Sequence, residues 1–140
     1  MAKTRLEDVL ALVPTFRGLT RKQLKVLAGR CEVVDFMADH SIVRKGDPGD
    51  AFYVVLSGQA RVVSGRKFLM RLLPGDHFGE IAVIDGGPRT ASVISETPMT
   101  LAMLSQKNFR AEMRDDPELA FHMMTELAKL FRRVTESLAE

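Results

Sequence analysis

The sequence lacks the residues and runs that would indicate several common classes of protein. It contains one cysteine, Cys31, so the chain cannot form an internal disulfide or a cysteine zinc site. The 20 basic residues nearly balance 18 acidic ones, which argues against nucleic acid or a membrane surface as the main partner. No apolar stretch approaches the roughly 18 residues of a membrane-spanning helix. No signal peptide is visible at the N-terminus. We therefore expect a cytoplasmic protein, or the cytosolic domain of a membrane protein.

Isolated histidines argue against metal chemistry. The three histidines, His40, His77 and His122, fall in a loop, in the middle of the chain and in a distant helix, whereas a metal site in a β-roll enzyme needs clustered histidine and carboxylate ligands. Cys31 is expected to be buried and inert, as free cysteines in cores usually are. No pair of a nucleophile and a base stands out. The sequence therefore predicts a protein that is not an enzyme and has no metal or catalytic cofactor.

Hydrophobic spacing divides the chain into a helical start, a β-rich middle and a helical end. Residues 1–30 have the spacing of helices. Residues 31–105 contain short runs rich in Val, Ile, Leu and Phe, separated by turns such as GDPGD at 46–50. This pattern is typical of an all-β barrel, sandwich or roll. Residues 106–140 return to helical spacing, with Pro117 in the tolerated first turn of the last helix. The length of the chain fits a single domain.

One segment inside the β-rich region lacks strand alternation and carries an isolated acid and an isolated base. Residues 78–92 read FGEIAVIDGGPRTAS. Residues 79–84 favour a short helix, in which Glu80 near the first turn suits the positive helix end. The turn Gly86-Gly87-Pro88 then breaks the helix and leads to Arg89. A structural ion pair between Glu80 and Arg89 is one interpretation, and a ligand held by both residues is the other.

The chemistry of this segment suits a nucleotide with a compact phosphate. Unpaired backbone N–H groups at the start of a short helix attract an anion, and Gly79 lets a ligand approach the backbone closely. Arg89 supplies a permanent charge with a fork that matches phosphate oxygens, while Ala91 and Ser92 leave room beside it. An ionised Glu80 only accepts hydrogen bonds, so it would suit a ribose hydroxyl.

The same segment resembles the phosphate-binding cassette of the cyclic nucleotide-binding domain family, the module of catabolite activator proteins, cyclic-nucleotide-dependent kinases and cyclic-nucleotide-gated channels. The resemblance covers nearly the whole chain, because VPTFRGLTRKQLKVLA is similar to the family's N-terminal helices, IVRKGDPGDAFYVVLSGQARVV to its first strands and LLPGDHFGEIAVI to the approach to the cassette. It implies a mainly β domain over 1–140: an antiparallel, jelly-roll-like β-roll with an inserted phosphate-binding helix, N-terminal helices and C-terminal lid helices.

The resemblance also implies the ligand and the residues that bind it. The ligand would be cAMP or cGMP, with Arg89 on the cyclic phosphate and Glu80 on the ribose 2′-OH. Thr90 corresponds to a hydroxyl position that contacts the phosphate or the purine edge and is often associated with accepting cGMP. The backbone of Gly79, Ile81 and Ala82 would line the phosphate and ribose. The candidate ligand-binding residues are Gly79, Glu80, Ile81, Ala82, Arg89, Thr90, Ala91 and Arg132.

Three further expectations concern a turn, a cap over the purine and the apolar stripe of the last helix. Many family members have a glycine where this chain has Asp39-His40, so Asp39 or His40 must adopt the unusual backbone angles of that turn. A cap over the purine is expected from residues 130–133, by stacking and cation–π attraction. The last helix carries an apolar stripe that fits either a lid packed on the roll or a dimer seam.

The resemblance implies a sensor that moves its C-terminal lid helices when the nucleotide binds and so regulates an attached or partner effector. The order of helices, roll, two helices and stop favours a stand-alone module or one attached to a cation channel, with no direct contact to nucleic acid. The alternative is the ligand-binding half of a catabolite-activator-type transcription factor. An oligomer formed through the C-terminal helix is compatible with both.

Overall fold

Helices flank a β-rich middle in the computed structural model, which describes residues 6–139 apart from the side chains of Thr15, Glu80 and Ile81. The first five residues of the predicted N-terminal helical segment lie outside the described residues. The helices are α1 (Leu6–Leu10), a 3₁₀ turn (Pro14–Phe16), α2 (Arg21–Gly29), α3 (Glu80–Asp85), α4 (Gln106–Asp115) and α5 (Pro117–Ala139). Within 6–139, no helix combines the length and the hydropathy needed to cross a bilayer.

The strands form two four-stranded antiparallel sheets, which confirms the predicted β-roll. The described strands are β1 (Glu32–Phe36), β2 (Ser41–Val43), β3 (Ala51–Ser57), β4 (Ala60–Ser64), β5 (Lys67–Leu72), β6 (His77–Phe78), β7 (Ser92–Ser95) and β8 (Met99–Ser105). One sheet has the order β1-β8-β3-β6 and the other β2-β7-β4-β5. The sequence did not predict the short strand β6, because its two residues are too few to show alternation.

Strand β3 separates two hydrophobic clusters because its side chains point alternately to opposite faces. Phe52 and Val54 belong to a cluster shared with the helices, whereas Ala51, Tyr53 and Val55 belong to a second cluster inside the roll. All five of these residues are buried. The strand therefore packs the helices against the outside of the roll while it fills the inside.

The unusual turn predicted at Asp39-His40 uses Asp39. Its φ is 61°, and it is the one non-glycine residue with positive φ among the described residues. The Asp39 N–H donates a 2.7 Å hydrogen bond to the Ser95 carbonyl oxygen. Asp tolerates the left-handed conformation better than most residues. The chain thus makes the family turn without glycine.

The last helix is buried only in its first half. Leu119 and Met123 are buried, and α5 packs mainly against the 3₁₀ turn and α4. Every residue from 128 to 139 is exposed. In this structure the second half of the apolar stripe therefore does not pack on the roll as a lid.

A buried ion pair connects α2 to α4. Glu112 is 2% exposed, and its Oε2 lies 2.7 Å from Nε of Arg30. Arg30 also pairs with Asp115. Burial raises the pKa of Glu112, while the charge of Arg30 opposes that rise. Burial also raises the pKa of the neighbouring Cys31 thiol to about 12, and this cysteine is half-buried where the sequence predicted a buried one.

Replacement of Arg30 by alanine should destabilise the fold by about 1–3 kcal/mol at neutral pH, because Glu112 is left buried without its cation. A carboxyl group whose pKa is raised by folding contributes stability below its unfolded pKa and loses it as the pH rises through the folded value. As the pH falls from about 7 toward about 4.5, Glu112 becomes protonated and no longer needs a cation. The difference in the free energy of unfolding between variant and wild type should therefore shrink over this range. Urea unfolding at both pH values measures it. The exposed Arg21, paired with Asp8, provides a control whose removal should cost no more than about 1 kcal/mol at either pH. An Arg30→Ala penalty that does not change with pH would contradict the prediction.

Candidate ligand-binding site

A pocket of about 490 Å³ opens between α3, the segment after it and the second sheet. This volume lies in the range of small-molecule sites, roughly 300–1,000 Å³. One wall is apolar and the other carries the polar groups of the cassette. The apolar wall includes Val43, Val62, Met70, Leu72, Phe78 and Val93, and the cassette wall includes Gly79, Ala82, Asp85, Gly87, Pro88, Arg89, Thr90 and Ala91.

Two glycines set the limits of α3, which the sequence had predicted one residue earlier. Gly79 precedes the helix with φ 95°, and Gly86 follows it with φ 70°. Both conformations are left-handed and suit glycine. The Gly86 N–H donates a 2.7 Å hydrogen bond to the Ala82 carbonyl oxygen. Val83 is fully buried, and it fixes the helix against the core while the first turn of α3 faces the pocket.

Arg89 is the one buried arginine among the described residues, at 6% exposure. Its Nη2 donates a 2.7 Å hydrogen bond to the Ala51 carbonyl oxygen and lies 3.4 Å from Oδ1 of Asp50. The Asp50 side chain is 84% exposed, so it screens the buried charge weakly. The guanidinium is therefore held at the pocket with capacity to bind a further anion. The alternative ion pair with Glu80 involves a side chain outside the described residues.

The guanidinium of Arg89 lies directly against Gly79. A Cβ atom added to Gly79 would lie 2.6 Å from Nη1 of Arg89 and 2.8 Å from the Ala51 carbonyl oxygen. Any larger residue at this position must displace one of the two. The glycine predicted to allow close approach of a ligand thus also makes room for the arginine.

The turn at 46–50 holds the arginine segment, a role that the sequence analysis missed. The Arg89 N–H donates to the Asp47 carbonyl oxygen at 2.8 Å, and the Gly49 N–H donates to the Gly87 carbonyl oxygen at 2.9 Å. A Cβ on Gly49 would lie 2.1 Å from Cβ of Ala82. Two glycines and a proline within five residues indicated a turn, but no local signal showed that it packs on α3.

The structure brings together five of the candidate residues and leaves one apart. Gly79, Ala82, Arg89, Thr90 and Ala91 all line the pocket. The backbone of Glu80 and Ile81 forms the first turn of α3, but their side chains lie outside the described residues.

The predicted purine cap is not at the pocket. Arg132 and its neighbours at 130–133 are exposed on α5 and do not line the cavity. The reason is that α5 runs unbroken from Pro117 to Ala139 and is anchored by its first half, so the helix extends away instead of folding over the roll. In this conformation Arg132 does not line the pocket.

The sequence did not identify the residues that form the apolar wall of the pocket. Val62 on β4, Met70 on β5 and Val93 on β7 come from paired strands of the second sheet, where Val62 lies opposite both Met70 and Val93. No local pattern grouped these three residues, and only the pairing register brings their side chains together. Such a wall suits the flat face of an aromatic ring. The described residues contain no group of three or more His, Cys, Asp or Glu side chains placed to hold a metal ion.

Comparison with known proteins gives consistent matches. The family model of the cyclic nucleotide-binding domain matches residues 33–116. The CRP-like cAMP-activated global transcriptional regulator of Mycobacterium tuberculosis is 29% identical over 140 residues, which cover 96% of this chain and 62% of that protein. The chain thus spans less than two thirds of the length of this relative.

Two solved structures are also similar. The N-terminal domain of a transcriptional regulator from Streptomyces coelicolor A3(2) superposes with a TM-score of 0.86 at 27% identity, covering 94% of this chain and 95% of that one. The regulatory domain of Toxoplasma gondii PKA, crystallised with cAMP, superposes with a TM-score of 0.71 at 30% identity, covering 79% of this chain and 44% of that one. The names of these three similar proteins describe transcriptional regulators and a kinase regulatory domain.

Proposed function

The chain belongs to the cyclic nucleotide-binding domain family, and we propose that it is a sensor module in which Arg89 binds the cyclic phosphate of cAMP or cGMP. The observation that carries the proposal is the buried guanidinium at the wall of a pocket of about 490 Å³. A buried charge is costly unless it is paired and hydrogen-bonded. Its described partners are one carbonyl oxygen and a largely exposed carboxylate. A phosphate completes that pairing.

The remaining groups of the pocket suit the rest of the nucleotide. Backbone N–H groups in the first turn of α3 are unpaired within the helix and add to the attraction for phosphate. From the family resemblance, Glu80 accepts a hydrogen bond from the ribose 2′-OH. The purine packs against the apolar wall around Val62 and Met70. Thr90 is exposed at the pocket, and its hydroxyl is the candidate for contact with a guanine amino group.

Binding is proposed to shift the C-terminal helices. A ligand that prefers one arrangement of α3 and α5 over another shifts their population by that difference in affinity, typically about 1–3 kcal/mol. A movement of this kind would bring residues 130–133, which are exposed here, toward the base. The sequence favoured a stand-alone module or one attached to a cation channel, whereas the similar proteins include a transcriptional regulator and a kinase regulatory domain, which supports an effector of one of these two kinds over a channel.

Calorimetric titration of the wild-type chain with cAMP, cGMP and 5′-AMP tests the proposed ligand. The cyclic nucleotides should bind, because their compact phosphate matches a single buried guanidinium, and 5′-AMP should bind more weakly. The ratio of the two cyclic-nucleotide affinities gives the base preference. Absence of binding of both cyclic nucleotides at high micromolar concentration would refute the proposal.

We also propose that a second copy of the chain covers the exposed stripe of α5. Leu130, Phe131, Val134 and Leu138 are exposed large apolar residues. Leu127, Leu130, Val134 and Leu138 recur at spacings of three, four and four, and Phe131 lies beside them, which suits pairing with an identical helix. Val134→Glu should then shift the chain from dimer to monomer in sedimentation equilibrium, because it buries unpaired charges in the seam. Thr135→Glu, which is exposed beside the stripe, should not. A wild-type chain that remains monomeric at all concentrations would contradict this proposal.

A further inference from the structure

Gln106, the first residue of α4, bonds in two directions. Its backbone N–H donates a 2.8 Å hydrogen bond to the Asp50 carbonyl oxygen. Its side-chain Nε2 donates a 3.2 Å hydrogen bond to the carbonyl oxygen of Val83 in α3. A helix leaves its first N–H groups and its last C=O groups without partners inside the helix. The backbone N–H of Gln106 is one of the first N–H groups of α4, and it is satisfied by Asp50, which precedes β3. The side chain of Gln106 satisfies the carbonyl oxygen of Val83, one of the last C=O groups of α3.

The peptide groups that hold Gln106 and Arg89 are adjacent. The Arg89 guanidinium donates to the carbonyl oxygen of Ala51, and Gln106 donates to the carbonyl oxygen of Asp50. Ala51 also pairs with Ser105, the residue before Gln106, in the β3–β8 ladder. Asp50 and Ala51, at the start of β3, thus contact both the Arg89 guanidinium and the start of α4.

The side chain of Gln106 is packed tightly between α3 and α4. A Cβ on Gly86 would lie 3.0 Å from Nε2 of Gln106, so the amide sits closely against the end of α3. Val83 and Phe109 of α4 belong to the same buried cluster. A shift of α3 must therefore either stretch the amide hydrogen bond or move α4 with it.

We propose that Gln106 is the positioning residue that transmits ligand capture from the pocket to α4. The proposal rests on the proposed function, because the ligand is what moves α3. Through Asp116, α4 leads directly into α5, so a movement of α4 reaches the helix that carries the exposed apolar stripe. Gln106 lies outside the pocket wall. Its loss should therefore separate transmission from binding.

The test compares two variants of equal charge change. Gln106→Glu keeps the length of the side chain but removes the amide donor to Val83. A carboxylate in the first turn of a helix is favourable, so α4 should still form. Lys107→Gln, at the neighbouring exposed position, makes the same change in net charge and leaves the hydrogen bond intact. Gln106→Ala removes the donor without adding charge and must give the same result as Gln106→Glu.

The readouts are cAMP affinity by calorimetry and hydrogen–deuterium exchange of α3 and α4 with and without cAMP. In wild type and Lys107→Gln, cAMP should change exchange in both helices. In the two Gln106 variants the affinity should stay within a few-fold and the change in α3 should persist. The change in α4 should fall by about fivefold or more, the lower end of typical coupling.

The other outcomes would contradict either this proposal or the proposed function. A wild-type response of α4 in the Gln106 variants would overturn the proposal and leave nucleotide binding intact. So would a wild-type chain in which cAMP changes α3 but not α4. Absence of cAMP binding to the wild-type chain would contradict the proposed function itself, and this proposal with it. A merely structural role would lower the thermal midpoint while the α4 response remained.

Discussion

Replacement of Arg89 by alanine is expected to lower cAMP affinity by about 100-fold or more. The guanidinium offers two parallel donors to a phosphate, and hydrogen bonds to charged groups contribute about 1.5–3 kcal/mol each. Two such bonds amount to about 3–6 kcal/mol, and each 1.4 kcal/mol corresponds to a tenfold change. Burial of Arg89 at 6% exposure keeps water from replacing either bond. Titration calorimetry of the variant beside the wild type measures the loss.

The control for this variant is Arg71→Ala. Arg71 is an arginine on β5 that pairs with Glu96 and does not line the pocket, so its removal changes the net charge equally but should leave affinity unchanged. Arg89→Ala also loses the hydrogen bond to Ala51, so cooperative unfolding must be verified first. Arg89→Lys keeps the charge without the fork and should bind with intermediate affinity. Wild-type affinity in Arg89→Ala would refute the assignment of the phosphate to this residue.

Replacement of Gly79 by alanine should weaken both the fold and the site. Its φ of 95° is unfavourable for any residue with a Cβ atom and costs about 1–2 kcal/mol. The new methyl group would also overlap Nη1 of Arg89 and the Ala51 carbonyl oxygen, and overpacking costs about 1–3 kcal/mol. We expect a total loss of about 2–5 kcal/mol in the free energy of unfolding. Displacement of Arg89 should lower cAMP affinity by about tenfold or more.

Gly75→Ala separates the two contributions. Gly75 has a φ of 93°, nearly that of Gly79, but nothing lies within 4 Å of the position of an added Cβ. This variant should show only the backbone cost of about 1–2 kcal/mol and should bind cAMP like the wild type. Denaturant unfolding and calorimetry of both variants provide the comparison. Equal losses in stability and affinity for the two variants would show that the contact between Gly79 and Arg89 has no special role.

Local sequence patterns were sufficient to predict the strands and the short helix that surround the site. The runs of Val, Ile, Leu and Phe between turns predicted an all-β barrel, sandwich or roll, because strand alternation and turn residues act over a few positions. The family resemblance then implied the β-roll. The break in alternation at 79–84 predicted α3 within one residue. Glu80 and Arg89 were singled out together because an isolated acid and an isolated base inside an apolar region each need a partner. In the structure Arg89 lines a pocket together with Gly79, and the side chain of Glu80 lies outside the described residues.

Contacts between distant segments could not be predicted in the same way. Gly49 looked like any turn glycine, and its tight packing against Ala82 depends on how the roll closes. Gln106 showed no signal as the first residue of a helix, because its bond to Val83 spans 23 positions. The apolar stripe of α5 has the same spacing whether it meets the roll or an identical helix. Only the direction in which the helix runs distinguishes a lid on the roll from a dimer seam, and in the structure residues 128–139 are exposed.

The most direct test of the account is a crystal structure of the wild-type chain with cAMP. We predict that the phosphate oxygens lie within hydrogen-bond distance of the Arg89 guanidinium and of backbone N–H groups in the first turn of α3. The ribose 2′-OH should contact Glu80, and the adenine should contact Val62 or Met70. A nucleotide bound elsewhere, or one whose phosphate makes no contact with Arg89, would contradict the central claim.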